Sequence, residues 1–136
     1  MSENVGLGEA AKRQVGVGSN QLPDMSSFYS LNSVAGYQVF PSGIIIQWGS
    51  LASLTSGNQM EIPYPISFPK GVFQAVACHD NYGHFARPTI YNLTTSLSNE
   101  KLFCSAVMLS ANTVNGTVTR GADGLATYGR WIAIGH

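Results

Sequence analysis

The run Met60-Glu61-Ile62-Pro63-Tyr64-Pro65-Ile66-Ser67-Phe68 restricts what this chain can fold into more than any other segment. Five apolar side chains alternate without a break against Glu61, Pro63, Pro65 and Ser67, a period of two that belongs to an extended strand with one buried face. Neither proline can donate a backbone hydrogen bond, so such a strand is confined to a sheet edge. Prolines on an edge also block pairing with foreign chains.

The chain from Tyr37 onward reads in the same way, as short β-like runs punctuated by Gly, Pro, Asn and Ser. Residues 37–40 and 44–48 flank Pro41-Ser42-Gly43, where proline presets φ and glycine accepts a positive one, and this predicts a hairpin. In its second arm Ile44, Ile46 and Trp48 share a strongly apolar face, and Ile45 and Gln47 share a mixed one. Further strands are expected at residues 72–79, 89–96, 102–109, 113–119 and 125–134. Together they predict an all-β domain over residues 32–136, an antiparallel β-sandwich or flattened barrel. Residues 1–31 read as an extended Gly-rich N-terminal arm whose single helical snippet, residues 9–13, is about one turn and too short to be stable alone. A neighbouring chain is expected to order it.

At 136 residues the chain accommodates one domain and an arm. Its formal net charge is zero and only 10% of its residues are charged, against about 25% in a typical soluble domain. This composition argues against nucleic acid as a partner and for burial of much of the surface in an oligomer. Cys78 and Cys104 lie in alternating apolar runs, where buried thiols are expected rather than a disulfide framework. No apolar run approaches the roughly 20 residues that span a bilayer, and the start Met1-Ser2-Glu3-Asn4 lacks the pattern of a signal peptide. A soluble chain, not exported by that route, is expected.

Three segments resemble phage and prophage tail-fibre proteins. VGLGEAAKRQVGVGSNQLPDM at residues 5–25 is similar to the LGLG-x-AA-x-R-x-VG-x-G element near the ends of many fibre shafts. Residues 36–49, with the string Gly43-Ile44-Ile45-Ile46-Gln47-Trp48-Gly49, resemble the opening hairpin of the fibre-tip domain. Ile66-Ser67-Phe68-Pro69 with Phe73, and the terminal Trp131-Ile132-Ala133-Ile134-Gly135-His136, resemble that domain's middle and closing motifs. The resemblance implies a homotrimeric receptor-binding tip at the distal end of a virion's tail fibre. Its implied partners are a bacterial surface glycan such as lipopolysaccharide, or an outer-membrane protein, with a tail-fibre assembly chaperone as a further expectation. No family motif covers residues 79–130, so a site there rests on residue chemistry.

Residues 79–88 gather His79, Asp80, Asn81, Tyr82, His84, Phe85 and Arg87 between two strands, with Tyr91 close behind. Aromatic faces, amides, a carboxylate and a guanidinium suit a glycan or a protein loop. The plainer alternative is a polar surface loop in which Tyr82 and Phe85 fold back on the core. Arg120 and Asp123, followed by Tyr128 and Arg130 on the approach to Trp131, form a second candidate segment beside the first, or else a charged turn with a local ion pair. Cys78 and His79 point to opposite faces of a strand and His84 alone makes no site, so no metal or other cofactor is expected unless a threefold axis gathers three copies of His84. Asp80 with Asp123 is the one loop carboxylate pair that a depolymerase would require. Nucleophile-elbow, phosphate-loop and zinc-helix motifs are absent, so adhesion without catalysis is expected, the alternatives being a polysaccharide depolymerase or a pure trimerisation module.

Overall fold

A computed structural model of the chain describes residues 6–136. The first four residues, where the signal-peptide reading falls, and Val5 of the glycine-rich element lie outside the described residues. Among the described residues there are nine strands: β1 (Ser30–Leu31), β2 (Gly36–Val39), β3 (Ile45–Ser50), β4 (Gln59–Pro63), β5 (Val72–His79), β6 (Thr89–Thr94), β7 (Lys101–Ala111), β8 (Val118–Arg120) and β9 (Gly129–Gly135). One sheet has the order β1-β2-β3-β9-β5 and the other β4-β7-β6, with β8 paired to the end of β7. Every strand pair is antiparallel. Val39, Ile45, Trp131 and Ala133 of the first sheet share one core with Leu102, Cys104 and Ala106 of the second, and Leu51, Leu54, Tyr64 and Phe68 from the connections fill it. The domain is thus all-β, built of two facing sheets and not a closed barrel.

The alternating run behaves as its prolines require. β4 pairs only with β7, at the edge of its sheet, and stops at Pro63. Beyond it the chain leaves the ladder, yet Tyr64 and Phe68 remain buried and meet edge to face at 4.9 Å. Backbone bonds from Tyr64 to Glu100 (2.9 Å) and from Phe68 to Asn99 (2.9 Å) hold this strandless stretch in place.

The predicted hairpin is β2–β3, closed by Phe40 N–H donating to the Ile44 carbonyl (3.0 Å), with Gly43 at φ 92. Both of its faces are covered to some degree, and the mixed face is the buried one. Ile45, Gln47 and Gly49 point into the core, while Ile46 and Trp48 point outward. Gln47 is 0% exposed, and its amide is satisfied at both ends by one residue: Nε2 donates to the Ile66 carbonyl (2.8 Å) and Oε1 accepts from the Ile66 N–H (3.0 Å). Gly49 faces inward because the Trp131 ring occupies the space that a Cβ would need.

Two further expectations are corrected. Residues 113–117 form a turn and not a strand, because the Asn112 side chain accepts from the N–H of Val114 (2.9 Å) and Asn115 (3.2 Å), and Gly116 takes φ 75. Both cysteines are free, but only Cys104 is buried. Cys78 lies on the outward face of β5, opposite Arg130. Residues 6–35 contribute no buried side chain. They hold two 3-10 turns, Ala10–Lys12 and Met25–Ser27, and a bridge between Val15 and Leu22. Edge-on contacts of Phe28 with Phe40 and of Tyr29 with Tyr37 fasten the segment to β2.

β9 lies in the interior of its sheet, between β3 and β5. It buries Trp131 and Ala133 and turns Ile132 and Ile134 outward. Across the strands Trp48, Ile132 and Val76 stand in one row, and Ile46, Ile134 and Gln74 in the next. The outer face of the five-stranded sheet is therefore apolar at its centre.

Candidate functional site

The β5–β6 connection is held from three directions. At its start Asp80 N–H donates to the Tyr128 carbonyl (2.7 Å), and the Asp80 carboxylate accepts from Arg130 Nε (2.6 Å). Asn81 caps the 3-10 turn Tyr82–His84, its side chain accepting from Gly83 N–H at 3.0 Å. Past the turn, the carbonyls of Ala86 and Pro88 accept from Ala111 and Leu109 of β7 (both 2.8 Å).

Two histidines brace the inside of the loop. The His84 ring stacks at a tilt on Tyr128 (4.7 Å between centroids), and His79 meets the same tyrosine edge-on at 6.5 Å. His79 Nε2 lies 3.2 Å from the Asn81 carbonyl. A carbonyl only accepts, so Nε2 is the donor in this contact. The Nδ1 atoms of both histidines are shielded from solvent without a hydrogen-bond partner.

This bracing leaves the tip of the loop outside. Tyr82 is 98% exposed and Phe85 71% exposed, so neither folds back on the core. Two bare aromatic rings on one short turn, with Arg87 exposed beside them, are an adhesive arrangement: large apolar area on a backbone that is already ordered.

The other candidate residues divide. Tyr128 joins the histidines. Tyr91 points the other way, packing against the core beneath Gly129, where burial raises the pKa of its hydroxyl. Arg120 and Asp123 form an exposed ion pair at 2.8 Å. Gly121 N–H donates to the Met108 carbonyl, and Gly124 N–H to the Ser56 carbonyl. The Met108 carbonyl and the Leu109 N–H belong to one trans peptide group and point to opposite sides of β7, so this segment lies along the edge of β7 opposite to the one that holds Ala86 and Pro88. Asp80 and Asp123 each have their own arginine and belong to different edges. Arg130, which follows Tyr128 on the approach to Trp131, is brought to the first loop as the partner of Asp80. Its position beside Trp131 was legible in the sequence, but its partner depends on the β5–β9 register. Among the described residues no three metal-ligating side chains come together, and no helix is long and apolar enough to cross a membrane.

Residues 39–136 match the family model described as "Putative tail fiber protein gp53-like, C-terminal". Similar folds occur in an N-truncated R2-type pyocin tail fibre (TM-score 0.53, 16% identity, 79% of this chain and 37% of that one). They occur also in an N-truncated R1-type pyocin tail fibre (TM-score 0.53, 21% identity, 79% and 84%) and in a C-terminal piece of the P. aeruginosa R2 pyocin fibre (TM-score 0.52, 17% identity, 79% and 25%). At these identities the likeness is one of fold, and this chain spans 37% or less of the two R2 chains. None of the curated proteins compared matches. The family match runs from the first strand of the hairpin to the closing strand, and the chain accordingly belongs to the gp53-like tail-fibre C-terminal family.

Proposed function

We propose that this domain attaches its fibre to a bacterial surface by binding, without catalysis, at the distal end of the fibre. The observation that carries the reading is the β5–β6 turn, anchored on β5, β7 and Tyr128, which holds Tyr82 and Phe85 in solvent. Asn81 and Arg87 supply polar contacts beside them. A lipopolysaccharide glycan or the loop of an outer-membrane protein fits this mixture of aromatic face and polar rim. Asp80 and Asp123, the carboxylates a depolymerase would need, are each engaged by an arginine on separate edges of the domain, and this supports adhesion over hydrolysis.

The working unit we propose is a homotrimer, with the glycine-rich arm entering along its axis and an assembly chaperone as a candidate partner. Two observations support it. Charged residues are scarce. The strand β9 carries Ile132 (41% exposed) and Ile134 (37% exposed) on its outer face, where an antiparallel sheet facing water carries polar residues. Three weak sites on one fibre raise the effective concentration of each at the cell.

The test is adsorption of particles whose fibres carry Tyr82→Ala and Phe85→Ala. Each change is expected to lower adsorption about tenfold or more, as loss of an aromatic anchor does, with an unchanged melting temperature because both rings are exposed. Undiminished adsorption of the double variant sinks the loop reading.

A further inference from the structure

The outer faces of the two sheets are chemically opposite. The five-stranded sheet is apolar outside, whereas the four-stranded sheet turns a hollow, polar face to solvent. Register builds this face row by row. Glu61, Phe103 and Thr94 stand side by side across β4, β7 and β6, and Gln59, Ser105 and Asn92 form the next row. These six residues line a trough of about 370 Å³. A second hollow of about 340 Å³ shares Gln59, Asn92 and Ser105 and carries the trough on toward Arg120.

The composition of the trough selects its ligand. Phe103, half-buried on the long central strand, gives a flat apolar floor. Around it stand two side-chain amides, two hydroxyls and a carboxylate, which offer donors and acceptors together. The amides of Gln59 and Asn92 make no hydrogen bond within the described chain. The charges at the two ends are already paired, Glu61 with Lys101 at 3.2 Å and Arg120 with Asp123 at 2.8 Å, so nothing selects an ionic ligand. A peptide strand would add at a sheet edge and not across a sheet face. We infer that this trough is a binding site for a neutral oligosaccharide, with the C–H face of one sugar ring on Phe103 and the hydroxyls of its neighbours on Gln59, Asn92, Thr94 and Ser105. The inference rests on the adhesion reading for the source of the ligand, a bacterial surface polysaccharide, but on a different face from the Tyr82 turn.

The test uses the whole chain against an immobilised panel of neutral bacterial O-antigen and capsular oligosaccharides, with binders titrated by calorimetry. Gln59→Ala and Asn92→Ala are each expected to weaken binding roughly five- to tenfold, the cost of one lost hydrogen bond, with unchanged melting because both residues are exposed. Phe103→Leu removes the flat ring while keeping an apolar floor, and its loss is expected to be larger. Amide NMR shifts on titration should cluster at residues 59–61, 92–94 and 103–105. Tyr82→Ala should bind the saccharide as the unchanged chain does. A panel without a binder overturns the proposal, as does a binder whose affinity survives Gln59→Ala and Asn92→Ala together. Because the Tyr82 turn is tested by adsorption and the trough by saccharide affinity, failure of either leaves a distinct signature.

Discussion

Gln47 and Cys104 show what single inward-facing residues contribute. Gln47 is the only hydrogen-bond partner that the Ile66 peptide group has in the described chain, through both its N–H and its carbonyl. Gln47→Ala leaves two backbone groups unpaired and opens a cavity, and is expected to cost about 2–4 kcal/mol, read as a lower urea midpoint with little change in slope. Cys104 acts through protonation. Burial pushes its thiol up from 9.0 to about 11, so the folded state holds the proton more tightly than the unfolded one. Its contribution to stability is complete below pH 9 and is lost as pH rises from 9 toward 11. Stability measured across that window should fall less steeply in Cys104→Ala than in the unchanged chain. Tyr64, pushed by burial to about 12, acts with the same sign at higher pH.

At the scale of elements, the β2–β3 hairpin separates two glycine roles. Gly43 needs its positive φ, with open space where a Cβ would stand, and Gly43→Ala is expected to cost about 1 kcal/mol. Gly49 has ordinary backbone but lies under the Trp131 ring, so Gly49→Ala overpacks the core and should cost more, about 1–3 kcal/mol. Thermal unfolding of the two variants checks the order. The hairpin, the proline-bearing edge strand and β5 were all legible, since turn chemistry and period are local. The face of β3 was not, because Gln47 is buried by a partner 19 residues away. Nor was the turn at residues 113–117, where β-branched Thr113, Val114 and Thr117 resemble a strand but the Asn112 side chain captures the backbone instead.

For the whole molecule, the apolar outer face of the five-stranded sheet makes the proposed trimer testable. Ile132→Asp with Val76→Asp places carboxylates at the centre of that face without touching the core, and sedimentation should then report a folded monomer. A trimer that survives both changes would assign the interface elsewhere. The candidate site was legible in part. Composition drew attention to residues 79–88, but the joining of Tyr128 to His84 and of Asp80 to Arg130 follows from the β5–β9 register. The same register logic sent Arg120 and Asp123 to the opposite edge of β7.

What the sequence by itself determined was local: extended runs, an edge strand at Met60, a hairpin at Gly43, and an aromatic-bearing polar loop after β5. Proline, glycine and period-two hydropathy act within a few residues, so they are readable without a fold. Only the tertiary structure decided which face of β3 is buried, which loops share a surface, and that the outer side of one sheet is apolar while the other holds a polar trough. Those outcomes depend on which strands lie side by side, and strand neighbours here are separated by as many as 90 residues, as Ile45 and Gly135 are in the β3–β9 pair.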